Sequence, residues 1–258
     1  MSNKYTNNLS SMNKLKYEGG VFKSNSFGRF IVLKYESNKN MTVKFLDTGF
    51  VTRTTLTQIQ NGTVADKLVP TLRGVDILGG RFDIKENGVN NREYKIWSSM
   101  MTRCYDKTYQ RRFPTYRECE VSDYFKCYDN FHIWCNEQKG FKEEFWQLDK
   151  DLLVTGNKLY SETTCVFLPS VINMAIVKPA KVKELPVGVT LSSDKKKFIA
   201  RIRRYGNSEV LGRFTDLESA KEVYKHAKIS YITELANKYK WLIDDRAYEA
   251  LINYKVYL

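Results

Sequence analysis

Histidine is the scarcest proton-accepting side chain in this protein. Only His132 and His226 occur in 258 residues, so a group that titrates near neutral pH has two candidates. His226 falls in a C-terminal amphipathic stretch and His132 follows Phe131 in an aromatic one, positions that suit packing or solvation. Cysteine is sparse as well: the five, Cys104, Cys119, Cys127, Cys135 and Cys165, include no C-x-x-C pair. The odd count argues against a disulfide framework. The spacings match no zinc ribbon or finger, which argues against structural zinc. No apolar run approaches the roughly 18–20 residues of a spanning helix, no signal peptide opens the chain and no internal repeat is evident. A soluble, cytoplasmic protein without a membrane partner is expected.

Positive charge is abundant. Lys plus Arg number 42 against 29 Asp plus Glu, a net charge of +13, so a polyanion is the leading partner. The excess is concentrated in residues 181–215, where Lys181, Lys183, Lys195, Lys196, Lys197, Arg201, Arg203, Arg204 and Arg213 face only Glu184, Asp194 and Glu209.

The pattern predicts an α+β chain in four parts. Residues 1–12, rich in Asn and Ser, read as a loose arm. Residues 13–80 alternate short strands with turns at Gly28, Ser37–Asn40 and Asp47–Gly49, which predicts a small β-barrel or curled meander. Residues 81–180 are helical and aromatic, with Ile96, Trp97, Met100, Met101 and Cys104 on one stripe. Asp123 is placed to cap a helix carrying Tyr124, Tyr128, Phe131 and Trp134. Pro179 and Lys181–Pro186 read as a basic linker into residues 181–258, whose last stretch, Trp241–Tyr254, carries Leu242, Ala247, Leu251 and Tyr254 in helical register.

Residues 186–227 hold the most informative pattern. In Lys197–Arg203 the side chains alternate, with Phe198, Ala200 and Ile202 on one face and Lys197, Ile199, Arg201 and Arg203 on the other. A turn through Tyr205-Gly206-Asn207 leads to a strand at Glu209–Phe214, and Thr215 or Asp216 precedes a helix striped with Ala220, Val223, Tyr224 and Ala227. Gly188-Val189, Phe198-x-Ala200-x-Ile202, Leu211-Gly212-x-Phe214 and Glu218-x-Ala220-x-x-x-Tyr224-x-x-Ala227 resemble the ethylene-response-factor (Apetala-type) DNA-binding domain, in the form fused to homing endonucleases of phages and bacteria. The resemblance implies a three-stranded sheet, packed on a helix, that enters the major groove of double-stranded DNA with Thr190, Ser192, Lys197, Arg201 and Arg203.

A second constellation precedes it. Gln147–Leu152, Gly156–Ser161, Thr164–Pro169 and Ser170–Asn173 read as a strand ending in carboxylates, a Gly-Asn loop, a return strand and a helix start. Asp149 and Asn173 are placed to converge as oxygen ligands for Mg²⁺, with phosphate and water completing the shell. Together with Trp97, Met100, Arg103 and Cys104 upstream, the stretch resembles the HNH (ββα-metal) nuclease unit of phage and mobile-element proteins. That resemblance implies metal binding by Asp149 and Asn173, a loop braced by Asn157 and a catalytic site at Asp149, Lys150 and Asn157. The family's general base is a histidine directly after the first aspartate, and that position holds Lys150. An ordinary lysine is almost entirely protonated at neutral pH, so its expected part is to contact the scissile phosphate. Three readings stay open: a Mg²⁺-dependent DNA nickase or endonuclease acting in a bacterial host cell, an inactive DNA-binding regulator or anti-defence protein on the same scaffold, and a structural or virion-associated protein whose charge merely tolerates nucleic acid.

Overall fold

A computed structural model of the chain describes residues 11–71, 73–177 and 185–256. The protein is α+β and divides into two compact units, Met1–Tyr94 with Lys126–Asn130, and Lys95–Phe125 with Phe131–Leu258.

In the first unit the alternation of apolar and polar residues builds an antiparallel meander, Val21–Ser24, Gly28–Ser37, Asn40–Phe45 and Val51–Thr54, hydrogen-bonded in that order. The expected barrel is corrected to an open sheet, because the first and last of these strands do not pair. One face buries Phe30, Val32, Tyr35, Met41, Val43 and Phe45, with Tyr17, Ile59 and Val64 closing the core. Each such side chain contributes about 1.5–3 kcal/mol on removal from water, enough for a single-layer sheet to hold one dry face. A bulge at Leu33 keeps Tyr35 on that face. Residues 11–17 are helical, so the expected arm gives way to helix at least from Ser11, and Tyr17 is buried; the rest of that arm lies outside the described residues.

The second unit contains the helix Arg92–Tyr105 from Lys95 onward, and this helix buries Trp97, Met100, Met101 and Cys104. The Trp97 indole donates to the Phe125 carbonyl at 2.7 Å. The expected single helix after Asp123 is two, Asp123–Lys126 and Tyr128–Glu137. The cap is Ser122, whose Oγ accepts from the Phe125 amide at 3.2 Å, and Phe125 rather than Tyr124 points inward. The strands Gln147–Asp149 and Val166–Leu168 pair antiparallel and lead into the helix Ser170–Ile176, a ββα unit. Leu159–Tyr160, between them in sequence, instead pairs in parallel with Glu120–Val121, a connection that local periodicity does not announce.

Val189–Leu191, Phe198–Arg204 and Asn207–Phe214 form a three-stranded antiparallel sheet against the helix Leu217–Tyr239. The N-cap is Asp216, whose Oδ1 accepts from the Ser219 amide at 2.8 Å. In the C-terminal helix Asp245–Ile252, Ala247 and Leu251 are buried, whereas the expected helical register does not reach back to Leu242, which is exposed in the preceding turn beside the buried Ile243. One continuous core joins Val166, Leu168 and Ile172 of the ββα unit to Ile202 of the sheet and to Tyr231, Ile232 and Leu235 of the long helix. The expected linker falls mostly outside the described residues, only Leu185 and Pro186 lying within them. No helix among the described residues is long and apolar enough to cross a membrane.

Candidate nucleic-acid interface and the adjoining ββα unit

The three-stranded sheet has two unlike faces because its central strand alternates. Ala200 and Ile202 are buried toward the helix, and Val189 and Ala220 complete that core around Ala200. Across the other face the register sets Thr190 beside Ile199, Ile199 beside Arg213, Arg201 beside Val210 and Arg203 beside Ser208. A bulge at Leu211 makes this possible. It turns both Leu211 and Gly212 toward the helix and brings Val210 and Ser208 out with the arginines. Strict alternation back from Arg213 would have brought Leu211 and Glu209 out instead, so the outward set was hidden from a period-2 count.

Arg201, Arg203, Arg213, Lys197 and Thr190 are exposed. The Arg201 amide donates to the Gly188 carbonyl at 2.7 Å, while its side chain forms neither an ion pair nor a hydrogen bond among the described residues. Arg203 is held at the hairpin tip, its Nε donating to the Gly206 carbonyl at 2.9 Å. Tyr205 and Gly206 both have positive φ, 48° and 85°, the requirement of a two-residue type I′ turn. Ile199, expected among the outward cations, is only 7% exposed, since it sits centrally between Thr190 and Arg213. Ser192 lies beyond the strand in the turn, where its hydroxyl donates to Asp194 at 2.6 Å and accepts from the Lys197 amide at 3.0 Å. The Ser192 hydroxyl and the Lys196 amide, both donating to it, hold the Asp194 carboxyl below its ordinary value. Glu209 lies on the helix side, 3.6 Å from Arg204. No acid therefore occupies an outward strand position, and Arg213, counted in sequence only as charge, joins the candidate surface.

In the ββα unit, Asp149 ends the first strand and its Oδ1 accepts from the amides of Asp151, at 3.0 Å, and Leu152, at 2.8 Å. Burial pushes its carboxyl above the ordinary value, against the pull of those two amides. Lys150 is 6% exposed and turns inward. Its Nζ meets Asp151 Oδ1 at 2.5 Å and the Asn157 carbonyl at 2.8 Å, and lies over the Tyr160 ring at 5.6 Å. The expected phosphate contact is thus corrected to an internal one: the ammonium is occupied by the protein's own acceptors. Asn157 braces the loop, donating from Nδ2 to the carbonyls of Lys150, at 2.7 Å, and Leu159, at 2.6 Å, and accepting at Oδ1 from the Leu159 amide at 3.0 Å. Asn173 Nδ2 donates to Gln147 Oε1 at 2.5 Å, two residues before Asp149 on the same strand.

Behind the hairpin, Arg103 donates to the Tyr160 hydroxyl at 3.4 Å and stacks over Tyr116 at 5.8 Å. Cys104 and Cys165 are buried, which pushes each thiol up to about 12 and keeps it protonated. His132 lies on Tyr128–Glu137 and His226 on Leu217–Tyr239, so neither belongs to the ββα unit. Among the described residues no three His, Cys, Asp or Glu side chains gather to hold a metal. Of the expected ligand pair, Asp149 Oδ2 and the Asn173 amide oxygen are the oxygen donors that the hydrogen bonds to the Asp151 and Leu152 amides and to Gln147 leave over.

Comparison with protein-family models, with curated proteins and with solved structures finds no match, so the site stands on its own geometry.

Proposed function

We propose that this is a double-stranded DNA-binding protein of phage or mobile-element type, working in the cytoplasm of a bacterial host, that engages the duplex with its C-terminal three-stranded sheet. One observation carries the reading: Arg201, Arg203 and Arg213 stand exposed across adjacent strands of a face whose outward positions hold no carboxylate. A sheet of this width suits the major groove, where arginine forks pair with guanine edges. The positive face supplies the salt-dependent attraction to phosphate. The ββα unit shares a core with that sheet, so both belong to one compact unit. Duplex binding by the full chain that weakens steeply with salt, and weakens again in Arg201→Ala and Arg203→Ala, is the expected result; binding indifferent to salt would reject the proposal.

Two observations divide the question of cleavage. The base position carries Lys150, committed to Asp151 and Asn157, which favours a non-cleaving scaffold. Asp149, in contrast, is a carboxylate that burial disfavours, and a chain that needed only a loop cap would be served by asparagine. That second observation favours a metal-assisted DNA nickase or endonuclease. In it Asp149 and Asn173 would hold Mg²⁺, which supplies Lewis-acid stabilisation of a phosphate, while Asn157 and Lys150 shape the loop. Incubation of plasmid and linear duplex with Mg²⁺ or Mn²⁺ decides the matter. Cleavage by the unsubstituted chain that Asp149→Ala abolishes establishes the nuclease. Binding without cleavage, with cleavage gained in Lys150→His, establishes the inactive scaffold.

A further inference from the structure

The outer face of the N-terminal sheet has no part in the reading above. Its inward face is saturated with aromatic and aliphatic side chains. The outward positions are set by register: Val21 opposite Ile31, Ile31 opposite Lys44 and Lys44 opposite Val51 in one row, Lys23 opposite Arg29 beside it, and Lys34 opposite Thr42 opposite Arg53 on the other side. Five cations, Lys23, Arg29, Lys34, Lys44 and Arg53, are exposed there. Glu36 is an acid on this face, and Lys34 binds it at 2.6 Å; Glu18, whose carboxylate accepts from the Tyr35 amide at 3.0 Å, also acts on Lys34. Among the described residues Lys23, Arg29, Lys44 and Arg53 form no ion pair, although Arg53 adds to the pull that Lys34 exerts on the Glu36 carboxyl.

The placement is ordered. Arg29, Lys44 and Arg53 lie on successive strands, each displaced by two residues along the strand from the last. With strands about 4.8 Å apart and residues about 3.4 Å apart, the steps are about 8 Å, a diagonal stripe crossing the sheet. Lys23, directly opposite Arg29, widens one end. Such a stripe meets a polyanion of regular charge spacing, and duplex DNA presents one charge per about 1.7 Å of axis.

The intervening side chains select the form of nucleic acid. They are aliphatic, Val21, Ile31, Leu33 and Val51, and the aromatics of these strands, Phe22, Phe30, Tyr35 and Phe45, belong to the opposite face. Single-stranded DNA and RNA are held on stacking platforms, which this face does not offer. Guanine-reading forks are not required of it either, since lysines and isolated arginines suit phosphates as point charges.

We propose that the outer face of the N-terminal sheet is a second, sequence-independent binding surface for the phosphate backbone of double-stranded DNA, carried by Lys23, Arg29, Lys44 and Arg53. It stands on the first unit alone and does not depend on the C-terminal sheet reading bases.

The test uses the full chain and a random-sequence duplex. Each phosphate contact contributes about 0.9 to the slope of log affinity against log salt, so the combined variant Lys23→Gln, Arg29→Gln, Lys44→Gln, Arg53→Gln should lower that slope by about 3 to 4. An unchanged slope overturns the proposal. If the combined variant melts early, the unsubstituted protein decides by amine acetylation: duplex should shield Lys23 and Lys44 but not Lys85, and equal labelling with and without duplex overturns the assignment. Retention on vesicles of anionic lipid that the variant loses, with its duplex slope intact, reassigns the face to a membrane surface and equally overturns it. Arg201→Ala with Arg203→Ala separates the two readings. Loss of binding there with no effect of the four glutamines leaves the C-terminal reading standing and removes this one, and the converse pattern does the reverse. Failure of the unsubstituted chain to bind duplex at low salt removes both.

Discussion

Lys150 and Asn157 hold each other reciprocally: the lysine ammonium donates to the asparagine carbonyl at 2.8 Å, and the asparagine amide donates to the lysine carbonyl at 2.7 Å. The pair closes the loop between Asp149 and Leu159. Asn157→Ala removes two donors and one acceptor at once and should destabilise the second unit by about 1–3 kcal/mol, the cost of unmatched polar groups. Asp151→Asn keeps an acceptor oxygen but removes the charge paired with a buried ammonium, and should cost about 1–3 kcal/mol, because the lysine end of the pair is only 7% exposed. A double-mutant cycle of Asn157→Ala with Lys150→Met, followed by chemical denaturation, should give a coupling above about 0.5 kcal/mol. Additive losses would mean that the loop is held elsewhere.

Asp149→Asn is expected to stabilise the protein at neutral pH. The amide oxygen can still accept from the Asp151 and Leu152 amides, and the burial penalty on a charge is removed. The sign follows from the raised folded-state value. The protonated carboxyl is favoured by folding, so its contribution is complete below the unfolded value and is lost as pH rises through the folded one. Thermal midpoints compared from pH 3 to pH 7 should therefore show the Asn variant gaining on the native chain as pH rises. A difference that is flat with pH would deny the burial of that charge.

Gly188 and Gly206 both adopt left-handed backbone, at φ 80° and 85°, yet they differ in surroundings. A Cβ at Gly188 would fall 2.1 Å from the Tyr224 ring, whereas one at Gly206 meets nothing within 4 Å. Gly206→Ala should then cost only backbone strain, about 1 kcal/mol. Gly188→Ala should exceed it clearly, because the ring cannot retreat from a core in which Tyr224 is 5% exposed. Denaturant midpoints of the two variants measure the difference, which isolates the packing of the sheet edge against the long helix. Equal costs would place Tyr224 away from Gly188.

Much of the fold was legible because its signals are local. The alternation of Phe198 to Arg203, the glycine at the hairpin turn and the aspartate before the long helix each state their structure within a few residues. The ββα hairpin was legible for the same reason. What escaped depends on register or on distant contact. The bulge at Leu211 reassigns every outward side chain of its strand before it. Barrel closure depends on whether two strands far apart in sequence meet. Lys150 illustrates the limit most sharply: its neighbours in sequence mark a chemical site, but the direction of its side chain was fixed by Asn157 and Tyr160, and it points inward.

Arg201 and Arg203 share a face but not a state of preparation. Arg203 is oriented by the Gly206 carbonyl, while the Arg201 side chain has no partner among the described residues and must be ordered on binding. Substitution by lysine separates the two kinds of contact, since lysine keeps the charge and loses the planar fork. If Arg203 reads a guanine edge, Arg203→Lys should weaken the selected site by about 1–3 kcal/mol while leaving the salt slope and random-sequence affinity intact. Arg201→Lys should do less, if Arg201 serves as a phosphate contact, and Arg201→Ala should lower the slope by about 0.9. Binding-site selection followed by salt titration of each variant makes the comparison. Identical behaviour of Arg203→Lys and the native chain across selected and random duplexes would confine this arginine to backbone contact and move sequence reading to another part of the face.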